Sequence, residues 1–154
     1  MMLKYSMLSL TRGLGWLAVA AIALNMSQAS SAHQVKIDET VGGTLHVEPN
    51  DTPQAGVETV AWFALVKKGG NPIPLSACEC RLAIYALPRE SDAPPLLAPA
   101  LQPIDVGRDR GIPSAGVTFP EIGRYELVLQ GAAKNDATFD PFELSFEVTV
   151  AARD

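Results

Sequence analysis

The sequence predicts an all-β domain made of short antiparallel strands. Two segments near the C-terminus alternate strictly between apolar and polar residues, which is the period of a half-buried strand. Turn signals rich in glycine, proline and asparagine recur at short intervals, at residues 42–43, 49–56, 67–74, 107–113 and 131–137. Downstream of residue 32, no segment has the 3.6-residue period of an amphipathic helix. These observations are typical of a β-sandwich.

The strongest strand prediction covers residues 142–151, FELSFEVTVA, in which every second residue is apolar. The segment 124–131, RYELVLQG, follows the same rule. Because successive side chains of a strand point to opposite faces, each of these strands should bury one face and expose the other.

Two further segments are apolar on both faces, as expected of central strands or of strands covered by a loop. They are residues 58–66, ETVAWFALV, and 80–87, CRLAIYAL. Shorter candidate strands are residues 34–38, 44–48, 102–106 and 116–119. The proline-rich segment 87–103 is expected to be a long crossover with an irregular edge.

Together these segments predict an antiparallel immunoglobulin-like β-sandwich of about seven strands, preceded by a helical signal segment. Tyr125 follows Gly123 at the head of a strand, which fits a tyrosine corner, where the hydroxyl bonds to upstream backbone. Leu127 stands where antibody domains have a cysteine, so their inter-sheet disulfide is not expected. The predicted interior consists of Trp62, Ala64, Leu82, Ile84, Tyr125, Leu127, Leu129, Phe142, Leu144, Phe146 and Val148.

The first 32 residues have the three parts of an export signal. Lys4 and Arg12 give a positive start, residues 14–24 are apolar, and SQASSA supplies small residues for cleavage. The apolar run is shorter than the about 20 residues of a membrane span, and an uncleaved N-terminal anchor is the alternative. Cleavage after Ala29 would leave a short tail, whereas cleavage after Ala32 would make His33 the first residue.

We favour cleavage after Ala32, which predicts a signal peptide over residues 1–32 and one domain over residues 33–154. No stable membrane span is expected after cleavage. The predicted location is extracytoplasmic: the periplasm, a thylakoid lumen or the exterior.

Composition and charge narrow the kinds of partner. The formal net charge is −5, and it becomes −7 when the signal leaves with its two basic residues. Such an acidic chain is a poor match for nucleic acid or for anionic membrane surfaces. With 47% hydrophobic residues, the chain has the composition of a globular protein.

The two histidines are candidate metal ligands. If His33 were N-terminal, its α-amine and imidazole would form a chelate suited to Cu(II), and His46 could add a third nitrogen if its strand paired nearby. Against this, His46 lies between Leu45 and Val47, so alternation turns it toward solvent. An ordinary surface histidine is the simpler interpretation, and no cofactor is expected unless it is copper.

Cys78 and Cys80 form a second candidate pair, ACEC. Thiolates select Cu(I), so a soft-metal site is one interpretation. Alternation, however, places both sulfur atoms on the same face as Leu82 and Ile84, and free exposed thiols are disfavoured after export. We favour a structural pair, buried or disulfide-bonded. A disulfide would need a local turn, since residues i and i+2 of a strand are about 6.5 Å apart.

Three stretches carry a family resemblance: HVEPNDTPQAG at 46–56, FPEIGRYELVL at 119–129 and FELSFEVTV at 142–150. With an export signal and a histidine at the cut, their layout resembles the small bacterial CopC-like and YtkA-like immunoglobulin-type sandwiches. The resemblance implies a sandwich fold and, for copper carriers of the CopC kind, ligation by an N-terminal histidine, which His33 would match. The chain lacks the late second histidine and any DGH segment before its last strand.

Catalytic motifs are missing from the sequence. It has no H-E-x-x-H, no P-loop and no dinucleotide fingerprint, and GIPSAG at 111–116 does not match G-x-S-x-G. We therefore expect an exported, non-enzymatic binding module whose partner is an envelope protein or a small ligand. A periplasmic copper-binding protein that uses His33 is the alternative.

Overall fold

A computed structural model describes residues 34–153. The predicted signal peptide, both cleavage points and His33 lie outside these residues. The described part contains eight strands and one short 3-10 helix, Leu75–Ala77. The strands are β1 (Val35–Asp38), β2 (Val41–Val47), β3 (Glu58–Lys67), β4 (Cys78–Ala86), β5 (Gln102–Val106), β6 (Asp109–Thr118), β7 (Gly123–Ala133) and β8 (Phe142–Val150).

The strands form two antiparallel sheets, which confirms the predicted β-sandwich. One sheet has five strands in the order β1-β2-β3-β6-β5, and the other has three in the order β4-β7-β8. The chain crosses between the sheets through residues 87–101, the proline-rich segment, as the sequence predicts.

The core lies between the inner faces of the two sheets, where alternate residues of most strands are buried. Nine of the predicted interior residues are buried there: Leu82, Ile84, Tyr125, Leu127, Leu129, Phe142, Leu144, Phe146 and Val148. Alternation with polar residues identified most of them, those in β7 and β8, whereas Leu82 and Ile84 come from a segment that is apolar on both faces.

The prediction for β3 was wrong by one residue. Ala61, Phe63 and Leu65 are buried in the core, whereas Trp62 and Ala64 lie on the outer face and are only half-buried. The strand is apolar on both faces, so its sequence holds no alternation from which to choose the inner one. A shift of one residue in that choice exchanges the two faces completely.

Two glycine-rich segments predicted as turns belong to strands. Gly42 and Gly43 lie within β2, and a Cβ atom on Gly43 would come within 2.6 Å of Leu144 Cδ1 from the opposite sheet. β6 begins at Asp109, seven positions before the predicted start at Gly116, and pairs with β5 across a short turn. These extensions lengthen β2 and β6, and each of the eight observed strands overlaps one candidate segment of the sequence.

The tyrosine corner is confirmed. The Tyr125 hydroxyl donates to the Glu121 carbonyl at 2.8 Å and accepts from the Glu121 backbone N–H at 3.2 Å. The Tyr125 ring is buried and packs against Phe119, with ring centroids 4.8 Å apart. The turn that precedes β7 is thereby tied to the core.

Candidate functional site

The outer face of the five-stranded sheet carries an exposed apolar surface. The register places Ile37 opposite Gly42 and Gly42 opposite Val66, so the side chains of Ile37 and Val66 flank a residue that has none. Ile37 is 75% exposed and Val66 is 39% exposed. The next row contains Val35, which is 65% exposed, with Thr44 and Ala64.

One row further along the same face, His46 stacks on Trp62. Their ring centroids are 3.9 Å apart and the ring planes differ by 11°. The Trp62 Nε1–H donates to the Glu48 carboxylate at 3.2 Å, which fixes the indole within the face. We call the set Val35, Ile37, His46, Trp62, Ala64 and Val66 the outer apolar face.

The outer apolar face holds no Asp, Glu, Lys or Arg, although the chain is acidic overall. Contiguous apolar surface of this kind marks interaction sites in soluble proteins. An aromatic ring held by a hydrogen bond adds a rigid, large contact at low entropic cost. Chemically, the face is suited to binding an apolar surface of another molecule.

Sequence reasoning placed Trp62 in the core and did not single out Val35, Ile37 or Val66. The alternation in β1, which places Val35 and Ile37 on one face, is the sequence signal that could have indicated this apolar surface. What the alternation could not show is that residues 34–153 leave this face uncovered.

Among the described residues, no other member of the predicted ligand set lies beside His46. Within residues 34–153 there is no group of three or more His, Cys, Asp or Glu side chains that could hold a metal ion. His46 lies on the outer face, turned away from Leu45 and Val47, which are buried. The other predicted ligand, His33, is not among the described residues.

Cys78 and Cys80 are joined by a disulfide at the start of β4. Their Cα atoms are 5.2 Å apart, closer than in a regular strand, and the 3-10 helix Leu75–Ala77 immediately precedes them. Cys78 is buried, and Cys80 packs against the core from its edge. Both sulfur atoms are consumed in the bond, so neither is a thiolate ligand in this structure.

A polar cluster occupies the outer face of the three-stranded sheet. The Glu126 carboxylate accepts hydrogen bonds from the Ser145 hydroxyl at 2.6 Å and from Arg89 Nε at 2.7 Å. These bonds lower the pKa of Glu126 below its ordinary value of 4.5, and the bond from Ser145 has the largest effect. The Arg89 guanidinium also lies over the Tyr85 ring, 3.9 Å from its centroid. This cluster joins the crossover to the sheet.

The described part of the chain contains no helix with the length and apolar character needed to cross a bilayer.

Fold and surface together define a small antiparallel β-sandwich that carries an uncharged apolar surface on one outer face. No protein-family model matches the sequence, and no curated protein is significantly similar to it. Two solved structures are similar in fold. One is a DUF4426 family protein from Pseudomonas aeruginosa PAO1, with a TM-score of 0.51 and 13% identity over 79% of this chain and 97% of that one.

The other is FetP from uropathogenic E. coli strain F11, a protein expressed recombinantly in the periplasm. Its TM-score is 0.51 and its identity 14%, over 80% of this chain and 96% of that one. At such identities the likeness shows the fold alone. The resemblance to CopC-like and YtkA-like sandwiches is confirmed as far as the β-sandwich, and membership of that family stays a prediction.

Proposed function

We propose that this protein is an exported, non-catalytic binding module of the bacterial envelope, which contacts another envelope protein through the outer apolar face. The observation that carries the proposal is the exposure of Ile37 and Val35, which form one uncharged surface with Val66 and Trp62. A protein surface is the occupant we propose because the outer apolar face extends across three neighbouring strands, from Val35 and Ile37 in β1 to Trp62 in β3. A small ligand would bind in a concave pocket instead.

Three further observations support an envelope location. Residues 1–32 have the pattern of an export signal. The chain also resembles in fold a protein that was expressed in the periplasm. The disulfide between Cys78 and Cys80 agrees with an oxidising compartment.

Site-specific photo-crosslinking tests the proposal. A photoreactive residue at Val66 should crosslink to an envelope protein in intact cells, whereas one at Glu143, exposed on the other sheet, should not. Ile37→Asp should abolish the crosslink from Val66, because it introduces a charge into the contact.

Equal crosslinking from both positions, or a crosslink that survives Ile37→Asp, would refute binding through this face. A product with twice the mass of the chain would make a second copy the occupant.

A second candidate function, copper binding, is favoured by the register of β1 and β2. Val35 pairs with Thr44, Lys36 with Gly43 and Ile37 with Gly42. β1 begins at Val35, two residues after position 33, and it pairs with the strand that carries His46. The amine and imidazole of an N-terminal His33, together with the His46 imidazole, would be a nitrogen set suited to Cu(II).

The stacking of His46 on Trp62 supplies the measurement for this second candidate. Trp62 is the only tryptophan downstream of Trp16, which lies in the predicted signal. Copper bound at His46 should therefore quench the fluorescence of the mature protein with one equivalent of Cu(II). His33→Ala and His46→Ala should each weaken the quenching; unchanged quenching in both variants would exclude this site. Native mass spectrometry of the same samples gives the cleavage point and the number of copper ions.

A further inference from the structure

β6 extends beyond its partner in the five-stranded sheet. Its pairing with β5 ends where Ser114 meets Gln102. On the other side, pairing with β3 continues to Thr118, which lies opposite Glu58. The last part of β6, residues 115–118, thus has a neighbour on one side only, in the described part of the chain.

The pairing pattern shows which backbone groups of this last part face the open side. Glu48 N–H donates to the Val60 carbonyl at 2.9 Å, so the main-chain groups of Val60 point toward β2. Gly116, the residue opposite Val60, must therefore direct its own N–H and C=O away from β3. Thr118 does the same by alternation. In agreement with this alternation, the carbonyl of the next residue, Phe119, points to the side of β3 and accepts a hydrogen bond from Gly56 N–H at 2.8 Å.

The crossover runs beside this edge without pairing to it. Leu97 is bound to the opposite sheet instead, through backbone hydrogen bonds with Ile84 in β4. Pro99 in the same stretch has no N–H to offer. No backbone hydrogen bond within residues 34–153 joins Gly116 or Thr118 to the crossover. The space left between them is a groove of about 340 Å³, lined by Leu97, Ala98, Pro99, Gly116, Val117 and Thr118.

Unpaired main-chain donors and acceptors in a groove are the requirement for strand addition. The side chains around the groove also indicate which residues a bound peptide should carry. The Glu58 carboxylate lies over Gly116, with Oε1 only 3.3 Å from where a Cβ atom would be. A residue that pairs with this edge on the outer face would meet that carboxylate, while its neighbours would face Leu97 on the inner side.

We propose that the groove between the crossover and the end of β6 binds an extended peptide segment, which adds a strand to the sheet and alternates basic with apolar residues. The main-chain groups of Gly116 and Thr118 supply the hydrogen bonds, and Glu58 selects the basic residues. This site lies at the β6 edge and is separate from the outer apolar face.

The first probe is a short synthetic peptide that alternates lysine and valine. It should protect the Gly116 and Thr118 amides from hydrogen exchange and shift their NMR resonances, with little effect on the amides of Ala115 and Val117, which face β3. The same peptide N-methylated at every residue keeps its charge but has no main-chain donors, and it should not bind. Failure of the lysine–valine peptide to protect these two amides at millimolar concentration would overturn the proposal, as would equal binding of the N-methylated peptide.

Variants of this chain give a second test. Thr118→Pro removes an N–H that faces the groove and no N–H that bonds to β3; proline is tolerated at such an edge position. It should weaken peptide binding by about tenfold or more, the loss of about one hydrogen bond. Thr118→Val keeps the N–H and should bind as the unaltered chain does.

Glu58→Gln should weaken binding of the lysine peptide and leave a glutamine–valine peptide unaffected. The amide spectrum of each variant reports whether the fold is retained. Undiminished binding by a folded Thr118→Pro variant would contradict strand addition. Crosslinking at Val66 is measured separately, so failure at the groove would leave the outer apolar face untouched.

Discussion

Tyr125 shows how one hydroxyl group can fix a turn. The hydroxyl is buried and has two partners, both on the backbone of Glu121, four residues upstream. Because a buried polar group without partners is costly, the turn and the tyrosine ring hold each other in place.

Replacing Tyr125 with phenylalanine removes the hydroxyl and leaves the Glu121 backbone groups without it. We expect the free energy of unfolding to fall by about 1–3 kcal/mol, the cost of unsatisfied buried groups. Urea unfolding followed by circular dichroism measures the change. Tyr85→Phe is the matched control, since the Tyr85 ring is half-buried and packs under Arg89. An equal loss of unfolding free energy in both variants would contradict a stabilising role for the hydrogen bonds of the Tyr125 hydroxyl.

Glu126 links stability to pH. Its pKa in the folded protein is lowered, chiefly by the Ser145 hydroxyl and then by Arg89. A lowered carboxyl pKa stabilises the fold above the ordinary value of 4.5, and that stabilisation is lost as the pH falls through the folded pKa. The stability difference between the unaltered chain and Glu126→Gln should therefore be largest near neutral pH and shrink in acid. An unchanged difference across this range would contradict the assignment.

Ser145→Ala tests the cause of this shift. Without the largest contribution, the pKa of Glu126 should rise toward its ordinary value. An NMR titration of the Glu126 carboxyl measures the midpoint directly. A midpoint that does not move would assign the shift to Arg89 alone.

At the scale of residues, the sequence predicted burial where apolar and polar residues alternate along a strand. Phe142, Leu144 and Phe146 could be assigned to the core because polar residues separate them. Trp62 could not, because every neighbour in β3 is apolar as well. Its place on the outer face follows from the pairing of β3 with β2, which the local sequence does not encode.

At the scale of elements, glycines inside strands serve packing between strands and sheets. A Cβ atom on Gly131 of β7 would lie 2.5 Å from Phe142 Cζ and 2.7 Å from Cys78 Sγ. The disulfide and the Phe142 ring thus occupy the space that a side chain at position 131 would need.

Gly131→Ala should destabilise the protein by about 1–3 kcal/mol, as is typical of overpacking. The control is Gly42→Ala, where the nearest atom to the new Cβ is Val66 Cγ2 at 3.5 Å, an ordinary contact. That variant should unfold close to the urea concentration of the unaltered chain. If the two variants were equally stable, the close contacts at Gly131 would be relieved by small shifts of Phe142.

The same use of glycine explains the errors in strand boundaries. Glycine pairs are turn signals in a sequence, but Gly43 lies in β2 because Leu144 of the other sheet needs the room. The ends of β5 and β8 were predicted to within one residue, and neither strand contains a glycine. Element type was therefore predictable, and element length depended on the facing sheet.

At the scale of the whole molecule, six strands contribute to one core cluster. We expect the exported chain to unfold in a single cooperative transition, so Trp62 fluorescence and circular dichroism should give the same midpoint in urea. The two probes report different parts, since Trp62 lies on the outer face and circular dichroism reports both sheets. Separate midpoints would show that the sheets unfold independently.

Reduction of the disulfide extends this test. The bond closes a loop of three residues, so loop-closure entropy predicts a stabilisation of about 2 kcal/mol at most. The reduced protein should still unfold in one transition at a lower urea concentration. Complete unfolding on reduction would mean that the core depends on this bond.

The sequence by itself determined the fold class, most of the core and the tyrosine corner, because these follow from the two-residue period of strands and from local turn chemistry. Only the tertiary structure decided which face of β3 is buried, that Ile37 and Val66 flank Gly42, and that the end of β6 pairs with β3 on one side and with no described strand on the other. Each of these depends on the register and extent of pairing between strands distant in the chain. Such pairing is set by how the two sheets fill one core, which no single segment specifies.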